Sequence, residues 1–292
     1  MFRLAHLSDP HLPSPAGLGP LRDLASKRTL SRLAWRRKQH EHGPAVLAAI
    51  TADIAAYAPD HVAVTGDLTN FSTPGEFAAA ATWLSTLGAP AAVTVSPGNH
   101  DALVADGHAE RFALLAPWLG DGAEDFPFLR RRGGVAIINL CSAVPTPPLF
   151  AGGRIGEAQL TRLGGLLDQA GREGLYRVVL LHHPPVEGVV SRRKALADAV
   201  ELRAVLIRHG AELVLHGHAH EAAFGAAGDI PVLGVPSASA KGSGHHPAAR
   251  WHAIEIDAGG ATVIARGLDP RSREITEIGR YALPGLSVGA AA

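Results

Sequence analysis

AELVLHGHAH, residues 211 to 220, runs from a short apolar segment straight into three histidines within five positions. An apolar run of that length, closed by a glycine, predicts a buried strand whose end is where the chain leaves its sheet. Working outward, the same order recurs. Asp9 and His11 follow LAHLS (4 to 8), Asp67 follows HVAVT (61 to 65), Asn99 and His100 follow AAVTVS (91 to 96), and His182 and His183 follow RVVLL (177 to 181). Every polar candidate lies just past the carboxyl end of a predicted strand. In open α/β sheets that edge is where ligands bind, because loops from several strands converge there.

Further strand-like runs are VAIINL (135 to 140), IPVLGV (230 to 235), WHAIEI (251 to 256) and ATVIA (261 to 265). Helices separate many of the strands. One starts at Pro44, a favoured first helical position, and runs through VLAAITADIAAY. A second opens with the capping-box spacing of Thr73 and Glu76 and stops near Gly88, and a third covers roughly 194 to 209 before Gly210. Strand-helix alternation that ends in strands without intervening helices predicts an α/β fold, its sheets partly parallel and finishing antiparallel.

Composition narrows the classes of function. Lysine plus arginine and aspartate plus glutamate stand at 27 each in 292 residues, so no net field argues for a nucleic-acid partner. Cys141 is the only cysteine, which excludes an intramolecular disulfide and a thiolate zinc site. It ends a strand and reads as a packing residue. The first residues carry no leader pattern and no apolar run is long enough to span a bilayer, so a soluble cytoplasmic protein is expected. A single domain over 1 to 292 is expected, with a loose tail from about 284.

The donor set is aspartate, asparagine carbonyl and imidazole without thiolate. It suits manganese, iron, zinc, cobalt or nickel better than calcium or copper(I). Seven donors exceed the four of a closed zinc site, and Asp67 can bridge two cations held about 3.5–4 Å apart. Such a pair polarises a phosphoryl group and makes hydroxide available near neutral pH.

At this point the chain resembles the calcineurin-like metallophosphoesterase superfamily. The five blocks of that signature read here D-P-H (9 to 11), G-D-L-T-N (66 to 70), G-N-H-D (98 to 101), H-H-P-P (182 to 185) and G-H-A-H (217 to 220). The resemblance implies a four-layer α/β/β/α sandwich of two mixed sheets flanked by helices. It also implies one metal on Asp9, His11, Asp67 and His220, and another on Asp67, Asn99, His182 and His218. His100 would bind a phosphoryl oxygen and assist the leaving group, with Asp101 orienting its ring. The implied reaction is in-line attack of a metal-bound hydroxide on phosphorus. The large phosphoprotein phosphatases carry G-D-x-V-D-R-G where this chain has GDLTNFS. The present pattern more closely resembles bacterial class III cyclic-nucleotide phosphodiesterases and glycerophosphodiesterases, so a small phosphodiester is the expected substrate. A pyrophosphate bond in a nucleotide-linked lipid is the alternative, and a metal-binding scaffold without catalysis is a third reading.

Asn70, His183, His245 and His246 are candidate substrate contacts, the last two from the loop SASAKGSGHHP. His6, His61, His216 and His252 read as structural, and His40, His42, His108 and His209 as surface residues. Residues 12 to 43 fit no block of the signature. Positions 21 to 42 hold seven basic and two acidic residues. Leu21, Leu24, Leu30, Leu33 and Trp35 form a broken apolar face on a predicted helix near the active-site mouth. A basic cap that attracts anions, with transient membrane-surface contact, is one expectation for this segment. A leucine-packed helix or a dimer contact is the other.

Overall fold

Alternation along each strand decides the layers. The structure, a computed structural model, describes residues 1–14, 26–121, 125–243 and 246–284, with backbone alone for 243, 246 and 284. Its first half runs β1 (Phe2–Leu7), α1 (Lys27–Lys38), α2 (Pro44–Tyr57), β2 (His61–Val64), α3 (Pro74–Leu87), β3 (Val93–Val95), α4 (His108–Ala113) and α5 (Ala116–Leu119). Then come β4 (Phe128–Arg132), β5 (Val135–Asn139), α6 (Glu157–Arg172), β6 (Tyr176–Leu180), α7 (Ala199–His209), β7 (Leu213–His216), β8 (Ala223–Ala227) and β9 (Ile230–Gly234). The chain closes with β10 (Lys241–Ser243), β11 (His246–Ala248), β12 (Arg250–Asp257), β13 (Gly260–Leu268) and β14 (Ile275–Pro284).

One sheet has the order β14-β13-β12-β1-β2-β3 and the other β4-β5-β6-β7-β9-β8, while β10 and β11 form a small ribbon. Each large sheet is mixed. β1, β2 and β3 pair in parallel, whereas β12, β13 and β14 extend that sheet antiparallel. Successive side chains point to opposite faces of a strand. Leu4, Ala63 and Ile254 therefore meet Ile137, Leu180 and Leu215 between the two sheets. Their neighbours Ala5, Leu7, Val62 and Val64 pack outward on Ile50 and Ile54 of α2 and Phe77 and Leu84 of α3. Ile138, Val179 and Val214 pack outward on Leu163 and Leu167 of α6 and Leu202 and Leu206 of α7. The result is the four-layer α/β/β/α sandwich.

Local signals account for the helix ends. Thr73 accepts from the Glu76 backbone and Glu76 accepts from the Thr73 backbone, so the capping box opens α3. The helix expected from 194 starts instead at Ala199. Its upstream residues are drawn to the loop before α6: Leu196 bridges Gly153, and the Asp198 carboxylate accepts from the Ile155 and Gly156 amides.

Among the described residues, α1 does not pack by its leucines. Arg28, Arg32 and Trp35 face inward from α1: the Arg28 guanidinium donates to the Phe71 and Ser72 carbonyls, and that of Arg32 lies over the Phe71 ring. Leu30 and Leu33 are 49% and 54% exposed, so the leucines and the tryptophan do not share a face. Leu21 and Leu24 lie outside the described residues. Among the described residues no helix is long and apolar enough to cross a membrane.

Candidate functional site

The loops after β1 and β2 are joined backbone to backbone. The Asp9 amide donates to the Gly66 carbonyl (3.0 Å), that of His11 to Asp67 (3.1 Å) and that of Leu12 to Leu68 (3.0 Å). Asp9, His11, Asp67, His218 and His220 all have left-handed backbones, with φ of 51°, 43°, 53°, 68° and 57°. A non-glycine residue held there costs on the order of 1–3 kcal/mol, a strain that clusters at functional sites. Two glycines are required by close approach. A Cβ on Gly98 would collide with Asp67, and one on Gly217 would collide with Ser8 and Asp9. Each ligand loop therefore lies against the next with no room for a side chain.

The donors fall into two groups that share Asp67. Asp9, His11, Asp67 and His220 have ligand atoms within 4.8 Å of one another, and so do Asp67, His182 and His218. Nε2 of His182 lies 3.2 Å from Oδ1 of Asn99 and 3.4 Å from Oδ2 of Asp67, which brings Asn99 to the second group. Partners behind the rings select the tautomers. Nδ1 of His182 donates to the Thr65 carbonyl (2.6 Å), which leaves Nε2 as a lone-pair donor. Nε2 of His218 donates to the Lys194 carbonyl (3.0 Å), which leaves Nδ1. Nδ1 of His11 meets Oδ1 of Asn70 (3.1 Å), which leaves Nε2.

These residues fit metal ions. Oδ1 of Asp9 is buried without a hydrogen-bond partner among the described residues, 3.2 Å from Nε2 of His220, which also faces Nε2 of His11 at 3.2 Å. A buried carboxylate oxygen and two converging imidazole nitrogens are satisfied together by a cation. Charge supports this. Burial opposes ionisation of Asp67, but His182, His100 and His11 together outweigh it and hold the carboxyl well below the usual range. Burial also lowers His182, yet Asp67 and Asp9 push it up to about 9. Burial, then the neighbouring His220, keeps His11 low, and burial, then His183, does the same for His218.

His100 stands at the edge of this cluster, half-buried. Its amide donates to Oδ1 of Asp67 (2.7 Å) and its Nδ1 to the Asn70 carbonyl (2.9 Å). Among the described residues its Nε2 makes no hydrogen bond. Asp101 does not orient that ring. Its buried carboxylate accepts from the amides of Gly98 (2.9 Å), Thr69 (2.9 Å) and Leu68 (3.3 Å), while Nδ1 of His100 is taken up by the Asn70 carbonyl. Burial, then Asp67, pushes its carboxyl up to about 6. Asp101 thus fastens the second ligand loop to the third and has a positioning role.

Asn70 and His183 differ in the same way from the substrate contacts expected of them. The Asn70 amide bridges Nδ1 of His11 and the Leu12 carbonyl, fully buried. His183 is fully buried with Nδ1 on Ser142 (2.8 Å) and Nε2 on the Ala151 carbonyl (3.2 Å), so both ring nitrogens are engaged. His245 lies outside the described residues, and His246 belongs to β11. His42, expected on the surface, is the residue that the sequence did not disclose: it is half-buried, with its ring centroid 4.8 Å from that of His11. No motif marks it. A cavity of about 550 Å³ opens beside His11, lined by Pro13, Arg32, Trp35, His42 and Phe71.

The chain belongs to the calcineurin-like phosphoesterase family, whose model matches residues 2–222. It is a metal-dependent phosphoric ester hydrolase. A similar protein is a probable cyclic nucleotide phosphodiesterase of Synechococcus sp., 29% identical over 221 residues, which are 73% of this chain and 78% of that relative. The fold is similar to that of a dimetal phosphatase from Danio rerio (TM-score 0.57, 14% identity, 97% of this chain and 98% of that one). It also resembles a purple acid phosphatase from yellow lupin (TM-score 0.59, 12% identity, 94% of this chain and 52% of that one).

Proposed function

We propose that the chain is a dinuclear phosphodiesterase acting on a small phosphodiester. The observation that carries this reading is the sharing of Asp67 between two donor groups, with His100 tied to the same carboxylate. Bound cations would polarise the phosphoryl oxygens and lower the pKa of an attacking water. Asp9, His11, Asp67 and His220 would hold one ion, and Asp67, Asn99, His182 and His218 the other. The donor types fit manganese, iron, zinc, cobalt or nickel. Nε2 of His100 has no hydrogen-bond partner among the described residues; with Nδ1 donating to Asn70, the protonated ring would meet a phosphoryl oxygen through Nε2–H and pass that proton to the leaving alkoxide. Thr65, Asn70 and Lys194 hold the imidazoles of His182, His11 and His218 in one tautomer throughout.

A diester has two ester arms, and the cavity beside His11 offers one of them a largely apolar seat flanked by Arg32 and Arg36. The likeness to a probable cyclic nucleotide phosphodiesterase supports the same substrate class. One observation favours a second reading, a pyrophosphate bond in a nucleotide-linked lipid met at a membrane surface: Leu30 and Leu33 are exposed on a helix that ends in Arg36, Arg37 and Lys38. The deciding experiment is hydrolysis of bis(p-nitrophenyl) phosphate beside p-nitrophenyl phosphate by metal-reconstituted protein, with apo protein and Asp67→Ala as controls. Metal-dependent turnover that prefers the diester is expected. Two bound metals with no turnover of either ester or of a nucleotide-linked lipid would favour a scaffold.

A further inference from the structure

We infer that His42, a residue of the insertion and outside every motif of the signature, is an additional protein donor to the cation held by Asp9, His11, Asp67 and His220. The inference rests on the metal-centre reading above and adds to it a ligand from a segment that the signature does not contain. Ring nitrogens of His11, His42 and His220 form a third group of ligand atoms within 4.8 Å of one another. The His42 ring centroid is 4.8 Å from that of His11 and 5.8 Å from that of His220, edge-on to both.

The surroundings of His42 are those of an oriented ligand. Its Nδ1 meets the Ser239 hydroxyl at 2.8 Å, while Nε2 has no hydrogen-bond partner among the described residues. An oxygen behind one ring nitrogen is how ligating histidines are aimed and kept in one tautomer. The Trp35 ring stacks on His42 with centroids 5.1 Å apart and planes inclined by 21°, which blocks one face of the imidazole. The backbone is fixed as well: His42 bridges Ala240 antiparallel, and the Gly43 amide donates to the Ser239 carbonyl (2.8 Å). Ser237 then links this support to the first ligand loop, because its hydroxyl donates to the Asp9 carbonyl (2.6 Å) and lies 3.2 Å from that of Ser239. The ring is therefore positioned from the same scaffold as Asp9. A merely space-filling histidine at the rim needs none of this.

The assignment gives the basic insertion a second function: through His42 it is fastened to the metal centre, and cation binding and placement of α1 become coupled. Cobalt(II) titration of the full-length apo protein tests it, followed by visible d–d absorption and by tryptophan fluorescence, with His42→Ala and, as a control, His40→Ala. Wild type is expected to take two cobalt ions. His42→Ala should bind one of them about tenfold or more weakly, with altered d–d bands for that ion and the other ion unchanged. His40→Ala, exposed two positions earlier, should match wild type. Circular dichroism of the apo variants establishes that both are folded. Cobalt affinities and bands in His42→Ala identical to those of a wild type that binds two ions would overturn the His42 assignment alone. Equal losses in His40→Ala and His42→Ala would overturn it too, by tracing the effect to the segment. A wild type that binds no cobalt would overturn the metal centre itself.

Discussion

Nε2 of His11 lies 3.2 Å from Nε2 of His220, across 209 positions of the chain, and the two rings meet edge-on. Burial of facing imidazoles beside the charged Asp9 and Asp67 leaves the bare site destabilising, so cations should stabilise the fold strongly. At a concentration one hundred times the dissociation constant, a ligand adds about 2.7 kcal/mol. Manganese added to chelator-stripped protein is expected to raise the melting temperature by roughly 5 °C or more. In Asp67→Ala, which removes the shared carboxylate, the rise should disappear. Differential scanning fluorimetry reads both.

Asn70 is expected to act through His11. Replacing it with alanine frees Nδ1 of His11 and leaves the Leu12 carbonyl without its donor. Metal affinity or turnover should fall about 10–100-fold, with KM for the diester little changed. A raised KM at unchanged metal affinity would instead place Asn70 against substrate. Metal titration and steady-state kinetics on Asn70→Ala separate the two.

Adjacent residues of one motif should fail differently. His100→Ala removes an imidazole held by one hydrogen bond to the Asn70 carbonyl and an edge-on contact with His11, so turnover should fall about 10²–10⁴-fold with metal content and melting temperature retained. Asp101→Ala strands three buried amides, each worth about 1–3 kcal/mol when left unpaired, and should appear first as lost stability. Urea denaturation beside metal analysis distinguishes them.

Acid should unfold the protein early. His61, buried on Thr94, is pushed down to about 3 by burial and then by Arg130, and His252 is pushed down to about 4 by burial and then by Arg250. Above the ordinary histidine value of 6.5 both the folded and the unfolded chain carry these rings neutral, and their contribution is complete. As pH falls below 6.5 the unfolded chain takes protons that the folded one refuses, and stability drops by about 1.4 kcal/mol per pH unit for each such ring. Urea midpoints between pH 7.5 and 4.5 should therefore fall less steeply in His61→Gln than in wild type.

The cap is expected to gather anions. Arg36, Arg37 and Lys38 are exposed in the last turn of α1, where the helix dipole also favours positive charge. Neutralising all three should raise KM for an anionic diester and flatten its dependence on ionic strength, with kcat nearly unchanged. Kinetics from low to physiological salt check this.

Much of this site was legible because each ligand loop pairs an apolar run with a polar residue at its end, a pattern that survives without knowledge of any contact. The capping box of Thr73 and Glu76 was legible for the same reason, since both partners lie within one turn. Contacts between distant segments were not. β4 reads FLRRR, a sequence no strand pattern favours, and it is admitted to the sheet because buried Arg130 reaches Asp121 and the Pro117 carbonyl. The inward face of α1 was hidden likewise. Its arginines find carbonyls and a ring on the loop after β2, so Leu30 and Leu33, two members of the expected apolar stripe, are exposed. Asp101 was misplaced because an aspartate beside a histidine invites pairing, whereas nearby backbone amides compete for the same oxygens. His42 offered no pattern at all: its position depends on Ser239, nearly two hundred residues away.

The left-handed backbones at five candidate ligand positions bear on how the site can be dissected by mutation. At Asp9 and Asp67 one residue supplies both a donor oxygen and a reversal of chain direction. A β-branched replacement there would distort the loop as well as remove the charge, and its phenotype would mix the two effects. Asparagine tolerates that conformation and keeps the shape of the side chain without its charge. Loss of metal in Asp9→Asn or Asp67→Asn therefore reports the lost charge and the oxygen exchanged for an amide nitrogen with the path of the chain kept, and the further loss in the corresponding valine variants reports what that path contributes.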